Sequence, residues 1–336
     1  MSIDRAIFEA LLEAGGGHVS GERLARRAGV SRAAIKKHVD HLTAVGYPIA
    51  AAPRQGYRLP DGQLPDVWCA EEISARLART PRARPVDWRP VIFRETASTN
   101  DLALREGQAG AAEGFVALAE SQSSGRGRAA RAWSSPPGTG LWCSLLLRPE
   151  GPPATVTRLT LVAAVALAEA LEAVTPGLKV GIKWPNDLLV GGRKLGGILT
   201  EAQVEPGGVQ FAVVGFGLNV DRQREDFPPG LRGQATSLRI EAGRAPRRAE
   251  LLVAALLQME RYYRMPFAAV RELWKARCVT LGQRVEIRSN AENADSPVEA
   301  AGEAVDIDER GALLLRGEDG TLRTIEAGDA VSALAP

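Results

Sequence analysis

Short apolar segments typical of β-strands alternate with helical segments over residues 91–220. Val91–Glu95 and Phe115–Gln122 are predicted strands, and Thr99–Arg105 is a predicted helix between them. Gly191-Gly192 predicts a tight hairpin turn. The other expected elements are the strands Leu141–Leu147, Val180–Trp184, Leu188–Val190, Gly197–Ala202 and Val209–Val220, the buried helix Leu159–Val174, and a helix over Ala70–Arg79 ahead of this region. Hairpins combined with segregated helices indicate an α+β fold, with a central mixed sheet and helices on one side of it.

The length of 336 residues predicts two or three domains. Pro60, Gly62 and Pro65 mark a linker, and we expect domains over residues 1–62, 63–275 and 276–336. The last region contains four short apolar segments separated by glycine turns, which predict a small SH3-like β-barrel. These segments are Arg284–Arg288, Ala301–Ile307, Ala312–Arg316 and Leu322–Ala327.

The apolar segments predict a soluble cytoplasmic protein without a membrane partner. The longest central run, Leu159–Leu171, is too short to cross a bilayer and contains Thr160 and Glu169. The N-terminus lacks the uninterrupted apolar stretch of a signal peptide. The three cysteines suit a reducing compartment, because their number is odd and they lie more than 70 residues apart.

The positions of the histidines exclude several kinds of chemistry. His18, His38 and His41 are the only histidines, so the remaining 295 residues cannot contain a Ser–His–Asp triad or a His-ligated metal. The cysteines form no CxxC pair, and we predict no metal site built from side chains. The chemistry of the larger part must therefore use Lys, Arg, Asp, Glu, backbone amides or a hard cation.

The first 60 residues carry the pattern of a winged helix-turn-helix. Ile3–Ala14 is amphipathic, Ser20 can cap a helix over Gly21–Ala28, and Gly29 supplies the turn before a helix that Ser31 caps. Residues 48–59 then resemble a small β wing. The segment has a net charge of +4, whereas the whole chain has +2.

The basic face of the third helix predicts DNA binding. We expect Ser31, Arg32, Lys36, Lys37 and His38 to meet operator DNA, because the second helix of this motif presents its N-terminal part to the major groove. The alternative is a solvated basic helix in a protein-contact module. His38 could also be exposed, or pair with His41 around a metal.

A loop rich in glycine and arginine follows the strand that ends at Gln122. Its residues are Gly125-Arg126-Gly127-Arg128, with Arg131 and Trp133 beyond. Glycines let backbone amides approach an anion, and guanidinium groups match phosphate oxygens. The pattern is neither a P-loop nor a GxGxxG dinucleotide motif. A phosphate is the natural ligand, although a mobile contact to nucleic acid is an alternative.

Three more clusters carry polar residues at the ends of predicted elements. The first cluster is Lys183-Trp184-Pro185-Asn186-Asp187, followed by Arg193-Lys194. Its lysines could contact a ligand, or they could be snorkelling lysines at strand ends. Asp187 could be a general base, a cation ligand or a turn cap, and Asn186 could orient a phosphate or a metal-bound water. Ser98-Thr99-Asn100 opens a helix, where Ser98 is either an N-cap or a contact to a polar small molecule. Gly215–Val220 is a glycine-interrupted strand end, typical of close ligand approach.

Together these clusters resemble the biotin–protein ligase family, and the N-terminal motif resembles its bifunctional ligase and repressor members. The resemblance covers most of the chain. The motifs that carry it are Ser98-Thr99-Asn100, Gln122, Gly125–Arg128 with Trp133, Lys183–Asp187, Arg193–Leu199, Gly217–Asn219, and Ser31–His38 with Gly56-Tyr57. The family usually has a basic residue and a glycine between Arg128 and Arg131, where this chain has Ala129-Ala130. That departure predicts altered retention of the reaction intermediate and no change of reaction class.

The resemblance implies a role for each matching residue. Biotin and ATP with Mg²⁺ would give biotinyl-5′-adenylate, and a lysine of the biotin carboxyl carrier domain of acetyl-CoA carboxylase would then take the biotin. The implied catalytic residues are Lys194, Arg128 and Asp187. The implied biotin-binding residues are Ser98, Thr99, Asn100, Gln122, Arg126, Gly127, Arg128 and Lys194, and the implied nucleotide-binding residues are Gly125, Arg131, Lys183, Asn186 and Asn219.

Two alternative functions stay open at this point. One is a lipoate or octanoate transfer enzyme of the same superfamily, which should lack Lys183–Asp187 and would not need a DNA-binding head. The other is a repressor that senses biotin without catalysis, against which Arg126–Arg128, Asp187 and Lys194 argue. A two-fold operator would require a homodimer.

Overall fold

The computed structural model describes residues 2–60, 62, 64–81, 86–289 and 296–332. The chain divides into two compact units. Unit 1 comprises Met1–Pro85 and Arg247–Val253, and unit 2 comprises Val86–Pro246 and Ala254–Pro336.

The helices of the described residues are α1 (Ile3–Glu13), α2 (Gly21–Ala28), α3 (Arg32–Ala44), α4 (Ala70–Arg79), α5 (Thr99–Gln108), α6 (Ala154–Val174), α7 (Leu238–Ala242), α8 (Arg248–Tyr263) and α9 (Phe267–Arg277). The strands are β1 (Ala50–Ala52), β2 (Gly56–Arg58), β3 (Arg89–Thr96), β4 (Phe115–Gln122), β5 (Gly140–Leu147), β6 (Gly181–Lys183), β7 (Asp187–Val190), β8 (Arg193–Glu205), β9 (Gly208–Asn219), β10 (Arg284–Arg288), β11 (Val298–Ile307), β12 (Leu313–Arg316), β13 (Leu322–Ile325) and β14 (Asp329–Ser332).

Unit 1 contains the predicted helix-turn-helix and its wing. The side chains of Ser20 and Ser31 accept hydrogen bonds from the first turns of α2 and α3. Gly29 ends α2 with φ +67°, a left-handed conformation that glycine adopts without strain. Strands β1 and β2 form an antiparallel hairpin, so the predicted fold of this segment is confirmed.

A buried carboxylate connects the remaining parts of unit 1. Glu72 of α4 is fully buried and accepts hydrogen bonds from Tyr47 (2.6 Å), Arg76 (2.7 Å) and Arg247 (2.9 and 3.0 Å). Burial raises the pKa of Glu72, but the hydrogen bonds from Arg247 and Tyr47 outweigh it and leave the pKa below its usual value. The carboxylate therefore stays charged and organises the interior of unit 1.

The central sheet of unit 2 has seven strands in the order β3-β4-β5-β9-β8-β7-β6. Strands β3 and β4 pair in parallel through the crossover helix α5, and the other neighbours pair antiparallel. The predicted mixed sheet is confirmed. Strands β4 and β5 are buried on both faces over most of their length, so they lack alternating polarity.

Helix α6 starts five residues earlier than predicted, because the mostly polar segment Ala154–Arg158 after Pro153 forms its first turn. By length and composition it could cross a membrane, which the apolar run Leu159–Leu171 alone could not. However, 61% of its most apolar window is buried inside the protein, and it packs on α9 and the central sheet. It has the burial of a core helix.

The C-terminal strands form an antiparallel sheet in the order β13-β12-β11-β10-β14. Four of these strands were predicted, whereas β14 was not. The sheet is open among the residues that the structure describes, with β13 and β14 at opposite edges, so the expected barrel closure is not observed.

The Glu72 network predicts a pH-dependent stability of unit 1. Replacing Glu72→Gln should lower the free energy of unfolding by about 1.5–3 kcal/mol at neutral pH, because Arg76 and Arg247 would lose their charged, buried hydrogen-bond acceptor and keep only the more exposed Glu250. In the wild type, stability should fall as the pH drops below about 4.3 and through the lowered native pKa, since the unfolded chain binds the proton first.

Urea unfolding at a series of pH values tests this, with the exposed Glu22→Gln as the matched control. The Glu22→Gln control should lose stability at acidic pH as the wild type does. The stability of Glu72→Gln should depend less on acidic pH, because this variant lacks the Glu72 carboxylate. Equal stability of the two variants at neutral pH would contradict the role given to Glu72.

Candidate active site

A cavity of about 1000 Å³ opens in unit 2, lined by residues of β4, β6, β7, β8 and β9 and of the loops that follow them. It is lined by nearly all the residues that the motifs singled out, namely Ser98, Thr99, Asn100, Gln122, Arg126, Gly127, Arg128, Arg131, Lys183, Asn186, Asp187, Lys194 and Asn219. Gly125 is not part of the lining. Its carbonyl instead accepts a hydrogen bond from the Trp133 amide, and a Cβ at this position would overlap with the Trp133 carbonyl oxygen.

The N-terminus of α5 is held by Gln122 at the end of β4. Gln122 Oε1 accepts a hydrogen bond from the Thr99 amide at 2.8 Å, and its Nε2 donates to Ser135 Oγ at 2.8 Å. Ser98 occupies the N-cap position but makes no capping bond with its side chain. The Ser98 side chain therefore does not cap the helix. Ser98 is buried and lines the cavity.

The Asn100 amide is fully engaged within the protein. Its Nδ2 donates to Glu201 Oε2 at 2.6 Å and to the Leu199 carbonyl at 3.3 Å, and its Oδ1 accepts from Ser144 at 2.6 Å. Gly215 leaves the room for this arrangement, because a Cβ there would overlap with Asn100 Oδ1. The sequence analysis did not predict Ser144 as a site residue, although a serine inside the otherwise apolar strand β5 could have indicated one.

The glycine–arginine loop is tied to the protein at both of its ends. Arg126 pairs with Asp101 at 2.5 Å and lies 3.3 Å from Glu201. Arg131 binds Asp329 at the start of β14 through both of its terminal nitrogens at 3.0 Å. These contacts hold the loop over the cavity.

Between these two attachment points, Arg128 is half-buried beside Asp329 and Arg131. Its guanidinium donates to the Gly328 carbonyl at 3.2 Å and lies 3.5 Å from Asp329. Burial lowers the pKa of Arg128, and neighbouring Arg131 lowers it further against the effect of Asp329. A partly desolvated cation of this kind favours an anionic ligand.

Ala129 and Ala130 both adopt left-handed backbone conformations, with φ +51° and +56°. This region costs a non-glycine residue about 1–2 kcal/mol, so a glycine would suit the loop better. Ala129-Ala130, where the chain departs from the family pattern, therefore lies in a strained turn. This strain supports the expectation that the loop retains the reaction intermediate differently here.

Lys194 and Asp187 form an ion pair of 2.7 Å at the cavity wall. The Gly191-Gly192 turn joins β7 to β8 and brings the two side chains together across the hairpin. Lys194 Nζ also lies 5.5 Å from the Trp133 ring centroid. Its backbone is fixed as well, since its amide donates to Gln234 and its carbonyl accepts from Thr236.

The two asparagines predicted on the nucleotide side hold the backbone. Asn186 Nδ2 donates to the Ile198 carbonyl at 2.7 Å, and Asn219 Nδ2 donates to the Thr236 carbonyl at 3.0 Å. Both side chains are buried. Their position on the cavity wall is therefore secured by neighbouring strands and loops.

Arg222 is a cavity residue that sequence reasoning missed. It is buried, donates to Ser134 and to Asn219 Oδ1, and lies 4.4 Å from the Phe227 ring centroid. Burial lowers its pKa, with a smaller opposite effect from Asp226. No pattern in the sequence singles it out, since it follows a strand in an irregular segment.

The cavity wall is strongly cationic. Arg126, Arg128, Arg131, Lys183, Lys194 and Arg222 line it, whereas Asp187 is the one acidic residue in the lining that the structure describes. Such a site attracts phosphate and carboxylate groups. Within the described ranges, no group of three or more His, Cys, Asp and Glu could hold a metal.

The predicted DNA-binding residues lie on α3 of unit 1. Arg32 and Lys37 are exposed, and Lys36 is exposed but pairs with Asp40 at 2.7 Å. Ser31 caps α3, and His38 lies 2.7 Å from Asp4. Arg32 and Lys37 thus form the most available part of this face.

Three family models match the chain, in the order that its motifs suggest. An HTH domain matches residues 4–58, the biotin/lipoate A/B protein ligase family matches residues 92–219, and the biotin protein ligase C-terminal domain matches residues 280–331.

Curated relatives and a solved structure agree with these matches. The chain is 34% identical to the bifunctional ligase/repressor BirA of Bacillus spizizenii, over 97% of this chain and 98% of the relative. It is 35% identical to the biotin–[acetyl-CoA-carboxylase] ligase of Paracoccus denitrificans, over 68% and 95%. The biotin protein ligase from Aquifex aeolicus in complex with biotin and ATP aligns with a TM-score of 0.59 at 26% identity, covering 72% of this chain and 97% of that one.

The close packing of Gly215 predicts that this position tolerates no side chain. Gly215→Ala should destabilise unit 2 by roughly 1–3 kcal/mol, because the new methyl group displaces the Asn100 amide. Gly207→Ala is the matched control, since a Cβ there meets no atom within 4 Å. Thermal unfolding of both variants measures the difference, and equal melting temperatures would contradict the described packing.

Proposed function

The chain belongs to the biotin–protein ligase family, as a bifunctional ligase and repressor, and from this premise we propose how its residues divide the work. The protein uses ATP to activate biotin and transfers the biotin to a protein lysine, and it represses transcription through its helix-turn-helix. The observation that carries the ligase function is the cationic cavity, in which the Lys194–Asp187 pair lies beneath the glycine–arginine loop.

In the first half-reaction, an oxygen of the biotin carboxylate attacks the α-phosphorus of ATP and pyrophosphate leaves. Lys194 stabilises the carboxylate and phosphate oxygens as negative charge builds between them. Arg128 and Arg131 neutralise the phosphate from the loop side. Ser98 and Thr99, which line the cavity, receive the ureido head, while Gln122 holds the Thr99 amide and Asn100 holds the Thr99 hydroxyl through Ser144.

In the second half-reaction, the acceptor lysine attacks the acyl carbon of biotinyl-5′-adenylate, and AMP leaves as the amide bond forms. Asp187 accepts the proton that the amine loses, because it is the carboxylate of the cavity wall and its partner Lys194 is then drawn to the departing phosphate. The loop, with Arg126 and Gly127, closes over the intermediate and keeps water from hydrolysing the mixed anhydride.

A magnesium ion fits this site as a companion of the nucleotide. Mg²⁺ is bound mainly by substrate phosphates with one or two carboxylates, and Asp187 is the acidic side chain available among the described lining residues. When bound, it would offset the charge of the leaving pyrophosphate.

We further propose the domain boundaries, the arrangement of the sheets, the acceptor protein, the oligomeric state and the location of the enzyme. Residues 1–62, 63–275 and 276–336 form its functional parts, helices cover one side of the central sheet, and the C-terminal sheet closes as an SH3-like barrel that contacts the acceptor. The acceptor is the biotin carboxyl carrier domain of acetyl-CoA carboxylase. A homodimer in the cytoplasm, without a membrane partner, binds a two-fold operator.

Mass spectrometry of a carrier-domain fragment tests the ligase function. With biotin, ATP and Mg²⁺, one lysine of the fragment should gain the mass of biotin. Formation of adenylate without transfer would favour a sensing repressor, and transfer of octanoate or lipoate in place of biotin would favour the other branch of the superfamily.

Lys194→Ala should slow adenylation by about 10²–10³-fold, because the transition state would no longer have this strong electrostatic partner. Pyrophosphate release measures the first half-reaction directly. The exposed Lys179→Ala, which also removes one lysine but does not line the cavity, should keep the wild-type rate. A wild-type rate for Lys194→Ala would remove this residue from the mechanism.

The exposed basic residues of α3 predict a salt-dependent interaction with DNA. Arg32→Ala and Lys37→Ala should each weaken operator binding and reduce the slope of log affinity against log salt by about 1, because each removes one cation that neutralises a phosphate. Biotin transfer should be unchanged. Arg310→Ala, an exposed residue of unit 2, is the control, and unaltered slopes for both α3 variants would refute the DNA-binding assignment.

A further inference from the structure

Glu201 of β8 belongs to none of the motifs, yet its carboxylate contacts a residue of the cavity wall. Oε2 accepts a hydrogen bond from Asn100 Nδ2 at 2.6 Å, and the same oxygen lies 3.3 Å from Arg126. We propose that Glu201 is a positioning residue that determines, through Asn100 and Ser144, whether the Thr99 hydroxyl donates or accepts at the cavity. The inference rests on biotin being the small-molecule substrate.

The first step is the orientation of the Asn100 amide. Glu201 Oε2 and the Leu199 carbonyl oxygen lie on the same side of this amide, and both can only accept hydrogen bonds. The NH₂ group of Asn100 must therefore face them. A flipped amide would place its oxygen 2.6 Å from a carboxylate oxygen, which is repulsive.

The second step is the direction of two hydroxyl protons. Asn100 Oδ1 lies 2.6 Å from Ser144 Oγ and can only accept, so the Ser144 proton is committed to it. The Thr99 hydroxyl lies 2.7 Å from Ser144 Oγ, and this contact then needs the Thr99 proton. The Thr99 oxygen is also 3.2 Å from Gln122 Oε1, a longer contact.

The direction of the Thr99 proton decides what its hydroxyl offers to a ligand. Ser144 is fully buried and Asn100 nearly so, which limits replacement of their hydrogen bonds by water. Once the Thr99 proton points to Ser144, the lone pairs of its oxygen remain available to accept from a ligand. A cyclic urea carries N–H donors, so the carboxylate of Glu201 prepares Thr99 for this chemical class.

Calorimetric titration of the full-length enzyme with biotin tests the proposal. Glu201→Met removes the acceptor and should raise the Kd and the KM for biotin about tenfold or more, while the KM for ATP stays within about twofold. Glu201→Gln can still turn an oxygen toward Asn100 and should restore biotin affinity to within about threefold of wild type, although it removes the charge near Arg126. Glu205→Met, an exposed site on the same strand, should match wild type.

A second variant keeps the test independent of Glu201 itself. Ser144→Ala interrupts the same chain of hydrogen bonds and should cause a similar loss of biotin affinity. Because both changes break the same chain of hydrogen bonds, their effects should not add. The double variant should bind biotin only slightly more weakly than the weaker-binding single variant.

The outcomes separate this inference from the proposed function. A wild-type enzyme that does not bind biotin would overturn the proposed function together with the inference. Wild-type affinity in Glu201→Met, or equal defects in Glu201→Met and Glu201→Gln, would overturn the inference alone, because the latter result assigns the effect to the charge facing Arg126. Additive losses in the double variant would likewise overturn it.

Discussion

The architecture of unit 2 depends on keeping several cations close together around one cavity. Like charges in a confined space repel one another, and burial weakens their hydration. The protein offsets this cost with ion pairs at the edge of the cavity. Arg126 pairs with Asp101, Arg131 with Asp329, and Lys194 with Asp187. The cavity retains an excess of positive charge, which attracts phosphate and carboxylate groups.

The same pairs connect parts of the chain that are distant in sequence. Asp329 lies at the start of the last described strand, and it binds the loop through Arg131 nearly 200 residues earlier. The C-terminal sheet therefore takes part in holding the loop, in addition to packing as a separate element. The left-handed Ala129-Ala130 turn lies between the ties, so release of the loop would also relieve backbone strain there.

Most of the elements in the central region could be predicted from local patterns. The helix over Ala70–Arg79 and the strand over Phe115–Gln122 have the predicted bounds, because turn residues and apolar periodicity mark both ends. Strand β8 extends beyond its predicted bounds on both sides, because it pairs with β7 from Arg193 onward and with β9 as far as Glu205. Helices α7, α8 and α9 and strand β14 had no prediction.

The sequence by itself determined the chemistry of the site, since glycine, arginine and lysine at those positions and the absence of histidine beyond residue 41 leave few alternatives. The Gly191-Gly192 turn was also predicted from the sequence, but the Lys194–Asp187 pair was not, because a register shift between Leu188 and Leu189 separates Asp187 from the residue opposite Lys194. Only the tertiary structure decided which polar side chains hold one another and which remain for a ligand. Asn100 meets Glu201 about a hundred residues away, and a hydrogen bond between distant residues depends on how strands pack, which no local pattern encodes.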